Sequence, residues 1–506
     1  MFFIIKNANN KIYIILLLYL IIKFNNYEIY NPTNIPELLY YNNQTINLLI
    51  PPKKCPATLI FFSDSQRFKF SKKVKRIIFK NKNSFITFYN SDEKYTQYIN
   101  LLESNGLIKS IFNYGENNLF IYPMNINISN KFSFNNNNSL NKYQKVYRHL
   151  DSAYIFQKNS LYKCYSSIKR LFDKDFKYMP ETYYYPEEEK VIQNKFKNYH
   201  LNISDLWLVK PSNSGSGKKI TFLKLLKNIN LKEYVITKYI TNINLIQGKK
   251  YDLRLYVLIP CLKPLRIYIY SEGLVRIATE TYSLNESYIN NIFVHLTNVD
   301  INKISKNFVI ANTSNDINAN TWNLLMYKKF LRKHHIEWRD IKEQIKDIII
   351  KSIISVYQNL TEENERQNLN ENSFYNILGF DILINNKFQP ILLEINKNPS
   401  MKFLNNLDRE IKNNLIIDTL NLVGIIPFSR KSKEPIFNKL KFKNNVDENI
   451  NNAFCELKRP RGGYEFIFPK KNNINTYKKF FIYNTEENKI FWYKIMRYNY
   501  SELSEP

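Results

Sequence analysis

The sequence predicts a mixed α+β and α/β protein on three observations. Residues Trp207 to about Ile277 fall into short apolar strands punctuated by glycine, and Trp322–Gln358 carries apolar residues at helical spacing. Strand patterns then return at Gly379-Phe-Asp381-Ile-Leu-Ile and Leu392-Leu-Glu394-Ile-Asn396. At 506 residues and 60.7 kDa the chain can bury a large core, and its length suggests about three domains.

Taken in order, Ile12–Ile22 is an apolar run between Lys11 and Lys23, shorter than a membrane span and close to the length of a signal-peptide core. No small-residue cleavage site follows it, so an uncleaved anchor, with membrane contact, and a buried helix both fit. Ser84–Tyr89 opens a strand, Glu93–Asn105 reads as a helix stopped by Gly106, and Asn118–Tyr122 reads as a second strand, together a small α/β unit. Residues 125–142 are Asn-rich without apolar period, as in a loop or disordered insert. Tyr162–Phe172 is helix-like, polar Thr361–Asn372 reads as a mobile loop, and Leu407–Lys412 starts a helix that closes at Gly424. From Pro427 onward the chain holds 16 Lys or Arg against 9 Asp or Glu. Cations there alternate with rings, as in Arg459-Pro-Arg461-Gly-Gly-Tyr464-Glu-Phe-Ile-Phe468 and around Tyr477 and Trp492.

Overall, 73 basic against 44 acidic residues give a formal charge of +29, which attracts polyanions such as nucleic acid, anionic lipid or acidic protein tails. An AT-rich coding bias towards Asn, Lys, Ile and Tyr accounts equally for much of the lysine. No nucleic-acid reading module is recognisable, so nucleic acid is not an expected partner. Cys55, Cys164, Cys261 and Cys455 show no paired spacing, which points to a reducing compartment and away from a zinc module. The adjacent His334 and His335 read as a solvated helix face.

Chemistry concentrates in two segments. In Lys250-Tyr-Asp252-Leu-Arg254, alternation puts two cations and a carboxylate on one face of a strand, which suits a nucleotide, although Asp252 with Arg254 also reads as an ion pair. Asp381, Glu394 and Asn396, carried on two neighbouring strands, would converge as oxygen ligands for Mg²⁺, a cation that binds nucleotide phosphates through the rest of its shell. Gly215-Ser-Gly217-Lys218 is not a Walker loop, because Ser212 stands five before Gly217.

With Trp207-Leu-Val-Lys210-Pro-Ser, Val235-Ile-Thr237-Lys238-Tyr239-Ile240, Glu272-Gly-Leu-Val-Arg276 and His295-Leu-Thr297-Asn298, these motifs stand in the order and near the spacing of one family. The chain resembles the tubulin-tyrosine-ligase-like family, whose fold is ATP-grasp, from about residue 84 to the C-terminus, and is closest to its polyglutamylase branch. The resemblance implies an N-terminal extension (1–55), an N-terminal subdomain (56–190), a central subdomain (191–290), a C-terminal subdomain with the Mg²⁺ site (291–426) and a cationic microtubule-binding region (427–506). Residue by residue, it implies that Lys210 contacts the phosphates, under a loop that includes Gly217. Thr237, Lys238, Tyr239 and Ile240 would frame adenine, Lys250 and Asp252 would hold the nucleotide, and Thr297 and Asn298 would complete its pocket. Asp381, Glu394 and Asn396 would bind Mg²⁺. Arg254 would stabilise the γ-phosphoryl group, while Arg276, with Asn302, Lys303 and Lys412, would meet the incoming amino acid. Lys219 stands where the family has glycine. Asp300 stands where many polyglutamylases have serine, and beside a pocket for an anionic amino acid it costs binding unless it is paired.

The expected function is an ATP- and Mg²⁺-dependent ligase that adds amino acids, above all L-glutamate, to glutamates in the acidic tails of tubulin, acting in the cytoplasm on microtubules, axoneme or basal body included. Tyrosine or glycine ligation is the alternative within that chemistry, and a non-catalytic microtubule-binding protein the alternative outside it.

Overall fold

The computed structural model describes residues 44–49, 55–62, 74–79, 86–90, 96–110, 117–121, 141–147 and 157–497, the last apart from 204, 213–218, 227–228, 230–231, 312, 314, 367–369, 398, 430–433 and 437–439. The Ile12–Ile22 run, nearly all of the Asn-rich stretch and Gly217 lie outside them. Among the described residues no helix is long and apolar enough to cross a membrane.

A small antiparallel sheet comes first, from β1 (Gln44–Leu49), β2 (Thr58–Leu59) and β3 (Val74–Phe79). The predicted front unit follows as parallel strands β4 (Thr87–Asn90), β5 (Ile108–Ser110), β6 (Leu119–Ile121) and β7 (Lys145–Tyr147), with helix α1 (Thr96–Ser104) ending at Gly106. Helix α2 (Lys158–Leu171) then leads to a second sheet, ordered β10-β9-β11-β8 and all antiparallel. Its strands are β8 (Thr182–Tyr185), β9 (Trp207–Pro211), β10 (Thr221–Phe222) and β11 (Tyr234–Lys238). Helix α3 (Glu189–Phe196) packs Ile192 and Phe196 onto one face of this sheet, against Trp207, Val209 and Ile236. The opposite face of β9 is left to Lys210 and Leu208, as strand alternation requires.

The main sheet continues with long strands β13 (Lys249–Ile259), β14 (Ile267–Ile277), β16 (Phe374–Ile384) and β17 (Pro390–Lys397), all paired antiparallel, with the two-residue β12 (Leu245–Ile246) against β13. Strand β16 joins this half to the parallel half through β7. Every residue of β16 is buried, so it is the spine of the molecule. Outside β14 lie two short strands, β15 (Thr321–Asn323) along Leu274–Arg276 and β18 (Tyr464–Phe468) along Ile267–Tyr270. The helices are α4 (Leu324–Lys333), α5 (Trp338–Arg366), α6 (Asn406–Val423), α7 (Asn445–Leu457) and α8 (Glu486–Arg497). Helix α6 ends, as predicted, at Gly424, whose φ of 70° suits a residue without Cβ.

Three expectations are corrected. The polar stretch from Thr361 is not a loop at its start: α5 runs on to Arg366, with Thr361 and Asn364 buried and the Thr361 hydroxyl donating to Tyr357 O at 3.0 Å. Polar side chains that bond within their own helix leave no apolar period to read. The cysteines do include a pair, since Cys55 and Cys455 form a disulfide across a sequence separation of 400, a relation no local spacing shows. Finally, many of the rings after Pro427 are buried. Tyr464, Phe466, Phe468, Tyr477, Phe480 and Trp492 are all buried, with Phe468 and Trp492 5.8 Å apart edge to face, so this segment completes the main sheet and its core.

Candidate active site

The two antiparallel sheets face each other across an open cleft whose free interior is ≈ 80 Å³. One wall is the small sheet. Lys210 on β9 is buried there, and burial pushes its ammonium down to about 8 despite the pull of Glu394. Thr237, Lys238, Tyr239 and Ile240, at the end of β11, line the same wall. The Lys238 ammonium turns away, to Asp205 at 3.4 Å.

Lys250 on β13 is buried opposite, lowered to about 7 by burial, with Asp252 opposing and Lys210 adding to the fall. Its ammonium donates to the Tyr239 hydroxyl at 3.2 Å, which is 2.9 Å from His295 Nδ1, while His295 Nε2 is 3.1 Å from Tyr288 O. The backbone carbonyl can only accept, so the proton sits on Nε2 and Tyr239 donates to Nδ1. Burial and Lys250 hold His295 down to about 4, which keeps the ring neutral.

The floor is the main sheet, and cross-strand register sets its geometry. Arg254 stands opposite Asp381, Asp252 opposite Arg276, and Asp381 opposite Glu394. Arg254 is bidentate to Asp381 at 2.5 and 3.0 Å. Arg276 is bidentate to Asp252 at 2.7 and 2.6 Å and also reaches Asp381 at 2.9 Å, while the Thr297 hydroxyl donates to Asp252 at 2.6 Å. Asp252 and Arg254 therefore pair across strands, each with another partner. Gly379 makes this close approach work, because a Cβ there would lie 3.3 Å from Arg254 Cδ and Nε and 3.0 Å from Pro399. Burial opposes ionisation of Asp381, but Arg254 and Arg276 outweigh it and hold the carboxyl well below the ordinary range.

Asn396 Nδ2 is 3.1 Å from Asp381 Oδ2 and 3.2 Å from Glu394 Oε1, so the structure brings together the three oxygen-bearing side chains expected of a cation site. Burial and the neighbouring Asp381 push Glu394 up, as for two carboxylates that share a site. Two carboxylates and an amide beside buried lysines form a hard donor set, and these residues fit Mg²⁺.

The other expected residues are placed differently. Asn302 is buried and fully used: Oδ1 accepts from Thr279 N and Oγ1, and Nδ2 donates to the Leu296 and Asn298 carbonyls, so it knits loops together. Lys303 pairs with Asp300 at 2.8 Å on the surface, and Lys412 is buried against Asp408 at 2.9 Å and the Lys402 carbonyl. With Arg276 held by Asp252, all three cations expected in an amino-acid pocket are ion-paired. Asn298 lines the cleft, as does Thr297. Two residues were missed. Lys158, first residue of α2, lies 4.0 Å from Glu394 Oε2 and lines the cleft, and His295 does too. A lone lysine in Gln157-Lys-Asn carries no spacing signal, whereas His295 opens a motif already in view.

The cleft thus gathers three lysines, Lys158, Lys210 and Lys250, around two carboxylates and an amide. The chain belongs to the tubulin-tyrosine ligase family, whose sequence pattern matches residues 135–433. It is 31% identical over 364 residues to human (Homo sapiens) tubulin polyglutamylase TTLL6, covering 68% of this chain and 40% of that protein. It is 32% identical over 305 residues to a probable beta-tubulin polyglutamylase of Tetrahymena thermophila, covering 59% and 25%, and 30% identical over 290 residues to mouse (Mus musculus) tubulin monoglutamylase TTLL4, covering 57% and 24%. The chain thus spans between a quarter and two-fifths of the length of these relatives.

Proposed function

We propose that this protein is an ATP- and Mg²⁺-dependent ligase that joins amino acids, L-glutamate first among them, to glutamate side chains of tubulin tails at the cytoskeleton. The observation that carries the reading is that Lys158, Lys210 and Lys250 gather around the Asp381, Glu394 and Asn396 cluster in one cleft. An acid does not condense with an amine in water until its oxygen becomes a leaving group. ATP supplies this by phosphorylating the acceptor carboxylate, and the amine of the incoming amino acid then displaces phosphate with loss of a proton. Such chemistry asks a protein for position and charge neutralisation rather than a side-chain nucleophile. Mg²⁺, when bound by Asp381, Glu394 and Asn396, would neutralise phosphate charge. Lys158, Lys210 and Lys250 would bind the phosphates, Tyr239 and His295 would fix the Lys250 ammonium, and Arg254 stands beside Asp381, where it would face the transferred group.

Glutamate and tubulin as substrates are supported by the names of the relatives and by the +29 charge. Pairing of Asp300 with Lys303 removes the objection that an extra carboxylate poses to an anionic amino acid. Since residues 427–497 complete the fold, microtubule contact would fall to exposed cations such as Lys471, Lys478 and Lys489. The test supplies microtubules, ATP, Mg²⁺ and one amino acid at a time, with mass spectrometry of the tubulin tails. Glutamate addition is expected, with Glu394→Gln reducing turnover on the order of 10²–10³-fold while circular dichroism is unchanged. Wild-type turnover by that variant would refute the metal site, and a preference for glycine or tyrosine would refute the choice of amino acid.

A further inference from the structure

Away from the catalytic cleft, a second cavity lies under the β7 end of the main sheet, bounded by β7, the start of β14 and α7. It shares no lining residue with the cleft, and its free interior is ≈ 40 Å³, room for a group of a few atoms. Lys145, Arg266 and Arg459 line it, with Glu456 as the carboxylate among them.

That carboxylate is already committed. Glu456 accepts from Arg266 at 2.9 and 2.7 Å and from the Tyr268 hydroxyl at 2.9 Å. Lys145, nine-tenths buried, donates to the Asn372 carbonyl, and Arg459 uses Nη1 on the Leu422 and Val423 carbonyls at 3.2 and 2.8 Å. Among the described residues neither cation has a carboxylate partner, and the Nε and Nη2 donors of Arg459 have no acceptor. At the rim Lys142 and Glu448 neutralise each other at 2.8 Å. A buried ammonium and a half-buried guanidinium in one cavity are costly unless an anion joins them. The cost is visible in both: burial, with repulsion from Arg459, lowers Lys145 to about 7, and burial, with repulsion from Arg266, lowers Arg459 to about 10.

We propose that this cavity is a binding site for one small oxyanion, a phosphate or a carboxylate, held between the Lys145 ammonium and the free edge of the Arg459 guanidinium. The planar fork of arginine beside a lysine point charge matches either group. Nothing in the catalytic reading uses these residues, so occupancy would act on the junction of β7 with α7 and through it on the sheet.

The experiment follows the unfolding midpoint of the full chain at constant ionic strength as chloride is replaced by inorganic phosphate, sulfate or acetate. A rise of about 3 °C or more is expected with at least one of them, and the more effective shape, tetrahedral or planar, identifies the class. Lys145→Met and Arg459→Gln should each lose that response, while Lys145→Arg keeps it. In chloride alone Lys145→Met should be no less stable than the wild type, because it removes an uncompensated buried charge. A midpoint in the wild type that ignores all three anions, or a response that survives in both Lys145→Met and Arg459→Gln, would overturn the site.

Discussion

Two sets of charged residues in the candidate active-site cleft, the ion pairs of its floor and the lysines that line it, handle charge in opposite ways. On the floor, Arg254, Arg276, Asp252 and Asp381 are matched one to one and locked by bidentate bonds, so this set is neutral and fixed before any ligand arrives. Lys210 on the small sheet and Lys250 at the start of β13 are by contrast buried with no carboxylate in ion-pair contact among the described residues, and both are lowered in consequence. Stability belongs to the paired set, and under the proposed function affinity for a polyanion would belong to the lysines left unneutralised.

The sharpest way to break this contrast is to unpair the floor. Arg276→Ala leaves Asp252 and Asp381 as buried carboxylates short of a partner, and the fold should lose about 3–5 kcal/mol in denaturant unfolding. A smaller loss, confined to kinetics, would mean that Arg276 serves the substrate rather than the scaffold. Acid should tell the two sets apart as well. Because Asp381 is depressed when folded, its contribution is present above the ordinary carboxylate pKa near 4 and is lost as pH falls below it.

An intermediate effect is expected for the lysines, with the opposite sign. The folded ammonium groups of Lys210 and Lys250, at about 8 and about 7, release protons that the unfolded chain keeps up to its ordinary value of 10.5. Ligand-free stability should therefore rise as pH climbs from about 7 towards 10 and fall again as pH drops through 8 and 7. ATP must restore those protons, so its affinity should weaken above pH 8 by up to about tenfold per pH unit for each lysine. Calorimetric titrations in buffers of different ionisation enthalpy would register the proton uptake, and none at pH 8.5 would remove the lysine set from the comparison. The smallest change is expected at the surface. Asp300→Ser should free Lys303 and improve the apparent affinity for glutamate a few-fold, with that for ATP unchanged, since an exposed pair is worth about 0–1 kcal/mol. Initial rates against glutamate concentration measure it.

Much of this site was legible because its signals are local. Strand alternation put Lys250, Asp252 and Arg254 on one face, and the motif around Glu394 and Asn396 marked an oxygen cluster that the structure brings within hydrogen-bond distance of Asp381. Partner choice was not legible, because it depends on register between strands far apart in sequence. Arg276 reads as a free cation until β13 is laid beside β14, and Lys412 until Asp408, one turn earlier on α6, is seen to face it. The fold class was similarly plain, whereas the buried rings after Pro427 and the Cys55–Cys455 link rest on contacts between segments far apart in sequence.

The outer edge of β14 has a consequence for how the chain is made. Among the described residues, its Ile267–Tyr270 half is capped by Tyr464–Phe468, almost two hundred residues downstream. During synthesis, at about 5–20 residues per second, that edge of buried, β-prone side chains waits on the order of ten seconds or more for its cover. A nascent chain therefore exposes a ready template for wrong pairing in just this interval. Slow stretches of the message between these segments would lengthen the hazard, and a chaperone that masks strand edges would act on this protein before its C-terminus leaves the ribosome.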